Sequence, residues 1–184
     1  MPILPPEPDC HPATLLEQPH SSEHNWWLFY TRSRQEKQLM RRLRDLNINH
    51  YAPQIPRRKR SPAGRVRTTY APLFNNYVFM CGLENDRYRA ICTGCIVKHE
   101  QITDTEQFIA DLKQIHRLVN TGAPLTVESR IQPGEHVRVR SGAFSGYEGT
   151  VIRRDQETRL LVSVPFIDQG VSVKLEDCQL ESIA

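Results

Sequence analysis

Cys92-x-x-Cys95, with His99 four residues further on, is the one group in this chain arranged like a metal or redox site. Thiolate and imidazole are good zinc ligands, but a closed zinc site needs four. No fourth ligand lies nearby in sequence, although the fold could bring Cys81 close. Outside a thioredoxin-like context a single CxxC is a weak signal. The seven histidines show no ligand spacing, and no P-loop, dinucleotide fingerprint, GxSxG or HExxH is present. The reading is therefore a protein that is not an enzyme and has no cofactor. Its chemistry is that of recognition. Twelve basic and two acidic residues lie between Arg32 and Arg67, a field that attracts phosphate or an acidic protein surface. A solvated basic face beside a charged loop is the plainer alternative.

The 184 residues allow one large or two small domains. No apolar run is long enough for a membrane span, and no basic segment followed by an apolar stretch opens the chain. Five thinly spread cysteines fit a reduced, cytoplasmic protein better than a disulfide scaffold. Residues 1–24 carry four acidic and no basic side chains, residues 25–121 carry 17 basic against 8 acidic, and residues 122–184 carry 7 against 9.

Six prolines and no periodicity in residues 1–24 predict a disordered or extended tail. Its apolar pair, Leu15-Leu16, could dock somewhere. Asn25–Thr31 is an aromatic, apolar run suited to a buried strand. Ser33-x-x-Glu36 spells a capping box, and Leu39, Met40, Leu43 and Leu46 then mark one face of a helix running to about Asn47. Arg34, Lys37, Arg41 and Arg44 form a basic stripe beside that face. Ile48–Ile55 reads as a strand, Arg57–Gly64 as a basic hairpin tip and Arg65–Tyr70 as the return strand. Leu73–Cys81 is the most β-prone segment of this half and predicts the central strand. A short helix at 84–91, a turn at Cys92–Cys95, a strand at 96–98 and an amphipathic helix from Thr103 to Gly122 follow. These elements describe an α+β layer. Residues 122–133 read as a linker, and five short strands fill the remainder at 135–140, 149–154, 158–164, 170–175 and 178–181.

Within that remainder, Val137–Val151 reads as strand, glycine-rich loop, strand, with glycines at 142, 146 and 149. The stretch looks like the KOW motif of small β-barrels in transcription and translation proteins, with Phe144 and Tyr147 on its loop; an ordinary glycine-turn hairpin is the plainer reading. The run Trp26–Lys37, the segment Pro72-Leu-Phe-Asn-Asn-Tyr-Val-Phe79 and this stretch, in that order and spacing, resemble the NusG family. The resemblance implies a ferredoxin-like NusG N-terminal domain of α+β type over 25–121, a linker over 122–133 and a five-stranded KOW barrel, SH3-like, over 134–184. It implies a transcription elongation or antitermination factor, a monomer whose first domain docks on the clamp helices of RNA polymerase and suppresses pausing. The barrel would recruit a further partner, a ribosomal protein or Rho. The Thr-x-x-Arg-x-Glu-Lys and Pro-Leu-Phe-x-Asn-Tyr patterns are more similar to specialised, RfaH-like paralogs. By match to the family's motifs, Tyr30, Phe74, Tyr77 and Phe79 would contact the polymerase. Arg32, Arg34, Lys37 and Arg41 would face upstream or non-template DNA, or nascent RNA, and Phe144 and Phe166 would lie on the barrel's partner edge. Read from the residues alone, aromatic strand positions such as Tyr77 and Phe79 are core more often than interface.

Departures from the family pattern carry expectations of their own. General NusG has Phe-Pro-Gly-Tyr where this chain has Phe74-Asn75-Asn76-Tyr77. Pro165-Phe166-Ile167-Asp168 replaces a segment that in NusG reads roughly Ile-Phe-Gly-Arg, which speaks against Rho recruitment. Gly142, Gly146, Gly149 and Pro165 oppose RfaH-type refolding of the barrel into a helical hairpin. The competing function class is a KOW-bearing RNA- or ribosome-binding module without polymerase contact. Basic residues 57–67, with Tyr51 and Tyr70 nearby, would serve RNA phosphates and stacking.

Overall fold

The computed structural model of this chain describes residues 7–18, 23–60, 64–128, 134–154, 156–176 and 180–183. Two units are present, Met1–Thr105 and Glu106–Ala184. The first contains β1 (Cys10–His11), β2 (Asn25–Thr31), α1 (Glu36–Asp45), β3 (Asn49–Tyr51), β4 (Gln54–Arg60), β5 (Val66–Pro72), β6 (Tyr77–Gly82), α2 (Glu84–Ile91) and β7 (Ile96–Gln101). The second contains α3 (Thr105–Asn120, apart from its first residue), β8 (Leu125–Glu128), β9 (Glu135–Val139), β10 (Glu148–Arg154) and β11 (Glu157–Val164). A 3-10 turn at Pro165–Ile167, β12 (Gln169–Lys174) and β13 (Leu180–Ser182) complete it. The expected α+β layer followed by a small β domain is what the chain forms.

The first unit is built on an antiparallel sheet in the order β1-β3-β6-β2-β7, with β6 at its centre as its composition predicts. Trp27 and Phe29 of β2 and Val78 and Met80 of β6 alternate onto one face and pack with Leu39, Met40 and Leu43 of α1. Each such side chain, taken fully out of water, contributes roughly 1.5–3 kcal/mol. The start of α1 departs from the sequence reading. Ser33 does not cap it; Arg34 takes a left-handed conformation (φ 63°) and the helix begins at Glu36. Glu36 is buried, and its carboxylate accepts the Asn76 N–H at 2.8 Å from the turn before β6. A carboxylate in the first turn is favoured by the helix dipole, so the site tolerates its burial.

Residues 7–18 are ordered, which corrects the expectation of a disordered tail. Cys10 and His11 pair with Tyr51 and His50 as an edge strand. Leu15 and Leu16 are buried, and Gln54 donates to the Glu7 carbonyl at 2.7 Å and to Asp9 at 2.9 Å. Prolines block ladder bonds only where they stand, and the Cys10-His11 dipeptide between Pro8 and Pro12 is free to pair. The rest of the expected tail, residues 1–6 and 19–22, lies outside the described residues, as do residues 129–133 of the expected linker and residues 177–179. Of the hairpin tip expected at Arg57–Gly64, residues 61–63 also lie outside them, while residues 57–60 are not loop but continue β4 past Pro56.

In the second unit all five expected strands are present in the order β13-β9-β10-β11-β12, and β8 adds a sixth along β12. Residues 125–128 of the expected linker are thus part of the sheet. Thr126 and Val127 pair with Ser172 and Val171, and Glu128 is tied by side chains. Ser172 Oγ donates to Glu128 at 2.7 Å, Arg154 reaches the same carboxylate at 3.0 Å, and Arg159 donates to Ser172 Oγ and Thr126 Oγ1 at 2.9 Å each. Glu128, Ser172 and Arg159 are buried while Arg154 reaches in from the surface; the buried members must each be satisfied, and that condition fixes β8 in place. The loop glycines divide their tasks. Gly146 supplies a left-handed turn (φ 86°), whereas a Cβ at Gly149 would stand 2.4 Å from the Leu161 carbonyl oxygen of β11. The second unit is a sheet and not a helical hairpin, as those glycines require.

His50 gives the first unit a pH dependence. Its ring is fully buried; burial pushes its pKa down to about 4, against the Ile48 carbonyl, while His11 and Arg44 add to the lowering. Nε2 has no hydrogen-bond partner among the described residues. The unfolded chain therefore takes up the proton first as pH falls below about 6.5, and the stability lost on the way to about pH 4 is on the order of 3 kcal/mol. Urea unfolding of the full chain at pH 7 and pH 4.5 is expected to show this loss, with His50→Leu losing less of its stability over the same interval.

Candidate functional site

β2 and β6 pair in register from Asn25↔Gly82 to Tyr30↔Tyr77, and β7 adds Lys98 beside Tyr30. The face opposite the α1 core therefore carries two successive rows. Tyr77, Tyr30 and Lys98 form the outer row; Tyr51, Phe79, Leu28 and Glu100 form the next. Exposure falls steeply between them. Tyr30 is 38% exposed and Tyr77 half-buried, while Phe79 is fully buried. The two tyrosine rings meet edge to face with centroids 5.5 Å apart. Phe79 stacks on Tyr51 at 6.3 Å and meets Phe74 edge-on at 6.2 Å.

Local irregularities aim the outer row. The β2–β7 register slips between Tyr30 and Thr31, leaving Val97 unpaired and 63% exposed. A bulge of this kind re-aims the side chains around it. On the other side, the Thr31 N–H donates to the Asn76 carbonyl at 2.8 Å, and Asn76 takes φ 66°. Asparagine tolerates this left-handed conformation better than most residues, so Asn75-Asn76 can make the turn that Pro-Gly makes in general NusG. Partial burial pushes the Tyr77 phenol up, Tyr30 adds to the shift and Lys98 opposes it; the hydroxyl stays protonated and can donate.

The structure brings together Tyr30 and Tyr77 as a surface, and places Phe74 and Phe79 beneath it as buried floor. The latter two offer no contacting surface in this conformation, a correction to the sequence reading. Strand alternation puts Tyr77 and Phe79 on one face correctly; it carries no information about Tyr51 and Phe74, which cover Phe79 from other segments. Lys98 and Val97 have no signal in the sequence, and only the pairing with β7 reveals them.

The basic stripe is also divided. Arg32 and Arg34 are exposed and Lys37 half-buried, and none of the three forms an ion pair among the described residues. Arg41 is bound by Glu7 at 2.6 Å, and Arg44 holds the same carboxylate at 3.0 Å. Burial raises the Glu7 pKa, but the two guanidiniums outweigh it and hold the carboxyl below its usual range. The ordered N-terminal segment thus covers the charge of Arg41.

On the second unit, Phe144 and Phe166 do not share a site. Phe144 meets Tyr147 edge-on at 6.0 Å and lines a cavity of about 430 Å³ with Pro124, Val173, Arg159 and Lys174. Phe166 packs edge-on against Phe108 of α3 at 6.2 Å. Gln114 of the same helix accepts the Glu148 N–H at 3.0 Å. Phe166 is therefore already engaged. Of the CxxC cysteines, Cys92 is exposed and Cys95 is buried with Phe29 and Val78, and no cluster able to hold a metal occurs among the described residues.

The comparisons with known proteins agree with this architecture. The family described as transcription termination factor NusG matches residues 24–132, and the KOW motif matches residues 133–164. The transcription termination/antitermination protein NusG of Pasteurella multocida is 32% identical over 130 residues, which is 65% of this chain and 69% of that protein. Its counterpart in Vibrio cholerae is 30% identical over 132 residues, 66% of this chain and 70% of that protein. A chain from a solved MjSpt4:Spt5 complex aligns at 18% identity over 86% of this chain and 97% of that one, with a TM-score of 0.27, too low to support a shared arrangement. The chain belongs to the NusG family. These factors are non-enzymatic proteins of transcription that work with RNA polymerase. The matched relatives are general NusG proteins, and the match gives α3 to the NusG region while its packing joins it to the KOW unit.

The difference between surface and floor is measurable. Phe79→Ala is expected to destabilise the chain by about 3–5 kcal/mol, as large core truncations do. Tyr77→Ala should cost about 1 kcal/mol or less. Thermal unfolding of the two variants would check the ranking; equal losses would place both side chains in the core.

Proposed function

We propose that this chain is a specialised NusG paralog that binds the clamp helices of RNA polymerase through the outer row Tyr30, Tyr77 and Lys98, suppresses pausing and recruits a partner through its KOW unit. The observation that carries the reading is the half-open tyrosine pair at the end of an otherwise buried aromatic face. Two rigid, amphipathic rings held by a bulge and a turn are good anchors for the apolar stripe of a helix, and Lys98 beside them suits an acidic neighbour on it. Phe74 and Phe79 act beneath as support. Arg32, Arg34 and Lys37, which follow β2 directly, face upstream or non-template DNA in this arrangement; Arg41 joins them only when released from Glu7. The Asn75-Asn76 turn, in place of Pro-Gly, supports a specialised role over a general one. Residues 25–121 then form the polymerase-binding region and 134–184 the recruiting one, with Phe144 and its cavity as the contact for a partner side chain. A ribosomal protein suits this better than Rho, given Pro165–Asp168. The protein acts as a monomer in the cytoplasm, where polymerase is found.

Binding of the full chain to the cognate core polymerase tests this. Tyr30→Ala combined with Tyr77→Ala is expected to weaken binding at least about thirtyfold, since central aromatic anchors are each worth more than about 1 kcal/mol. Their circular dichroism should be unchanged. No binding by the wild type, with salt-sensitive RNA binding instead, would favour the RNA- or ribosome-binding module.

A further inference from the structure

β4 and β5 form a two-stranded sheet of their own, joined to neither larger sheet. Both strands are seven residues long, so the ribbon extends about 20 Å. Between Gln54 and Pro72 the sequence holds six basic residues and no acidic one. Arg57, Arg58 and Arg60 are exposed, and the ion pairs of this unit among the described residues go to Arg41, Arg44, Arg87, Arg89 and Lys98, to none of these three. The register sets Arg57 opposite Thr69, Arg58 opposite Thr68 and Arg60 opposite Val66. Alternation then puts Arg57 on one face and Arg58 and Arg60 on the other.

We infer that this ribbon is a binding site for duplex DNA, entering the major groove. Three features select this ligand. Arg57, Arg58 and Arg60 are exposed and form no ion pair among the described residues, so their charge is open to the phosphates of a polyanion. Cations stand on both faces, which suits a groove walled by phosphates on both sides; an acidic protein surface would meet only one. A B-form major groove, about 12 Å wide, admits a two-stranded ribbon, whereas the deep, narrow major groove of A-form RNA does not. The site is built by β4 and β5 and not by Arg32, Arg34 or Lys37, and it requires no polymerase.

Fluorescence anisotropy of a labelled DNA duplex of about 20 base pairs, titrated with the full chain at several salt concentrations, tests the inference. The triple variant Arg57→Gln, Arg58→Gln, Arg60→Gln should bind at least about tenfold more weakly at 0.1 M salt, because each arginine neutralises about one phosphate. The slope of log K against log salt should fall by about 2 to 3. Replacing the same residues by lysine should retain the slope. The inference is overturned if the wild type does not bind the duplex at low salt, if the glutamine variant binds as the wild type does, or if these arginines bind an RNA hairpin more tightly than DNA. Because no polymerase is present, failure here is distinct from failure of the clamp-helix reading.

Discussion

The pairing of β2 with β6 sets the rest of the first unit. Trp27, Phe29, Val78 and Met80 pack against α1 on one face and Leu28 and Phe79 are buried on the other, so a slip by one residue would exchange side chains of different shape between two filled layers and draw Tyr30 or Tyr77 under α1. The packing cost of that exchange fixes the register. The register in turn decides that Tyr30 and Tyr77 face each other, that Leu28 lies opposite Phe79, and that Lys98 closes the outer row. The tyrosine pair is a consequence of core packing on the neighbouring positions of the same strands.

Around that pairing, polar groups do the positioning. Glu36 holds the Asn76 N–H, and Thr31 donates to the Asn76 carbonyl, so the turn before β6 is clamped from both α1 and β2. Glu7 performs a comparable task at the basic stripe, tying Arg41 and Arg44 to the N-terminal segment. In the second unit, Glu128 anchors β8 through Ser172 and Arg154. Three buried or half-buried carboxylates thus attach segments whose composition says little about their place.

That pattern explains what is legible in the sequence. Periodicity and composition place β2, α1 and the glycine loop, because alternation and amphipathic spacing are local properties; they do not show that the strand expected at Ile48–Ile55 divides between β3 and β4, which belong to different sheets. Ser33-x-x-Glu36 misleads because a capping box and a tertiary hydrogen bond ask for the same carboxylate, and the Asn76 N–H that wins lies 40 residues away. Six prolines in residues 1–24 suggest a disordered or extended tail, yet a two-residue edge strand at Cys10-His11 needs only two free amides. Residues 125–128 look like linker because four residues of mixed burial give too short an alternation to register, and the charge network that holds them spans the sheet. The family resemblance implies one partner edge for Phe144 and Phe166; the docking of Phe108 on Phe166 separates them.

The central claim is that the tyrosine pair is the surface presented to polymerase while the phenylalanines beneath it are structural. A photoreactive phenylalanine analogue placed in turn at positions 30, 77, 74 and 79, followed by irradiation in a transcribing complex, tests it most directly. Cross-links to the polymerase are expected from positions 30 and 77 and none from 74 and 79. Cross-links from 79, or their absence from both 30 and 77, would contradict it.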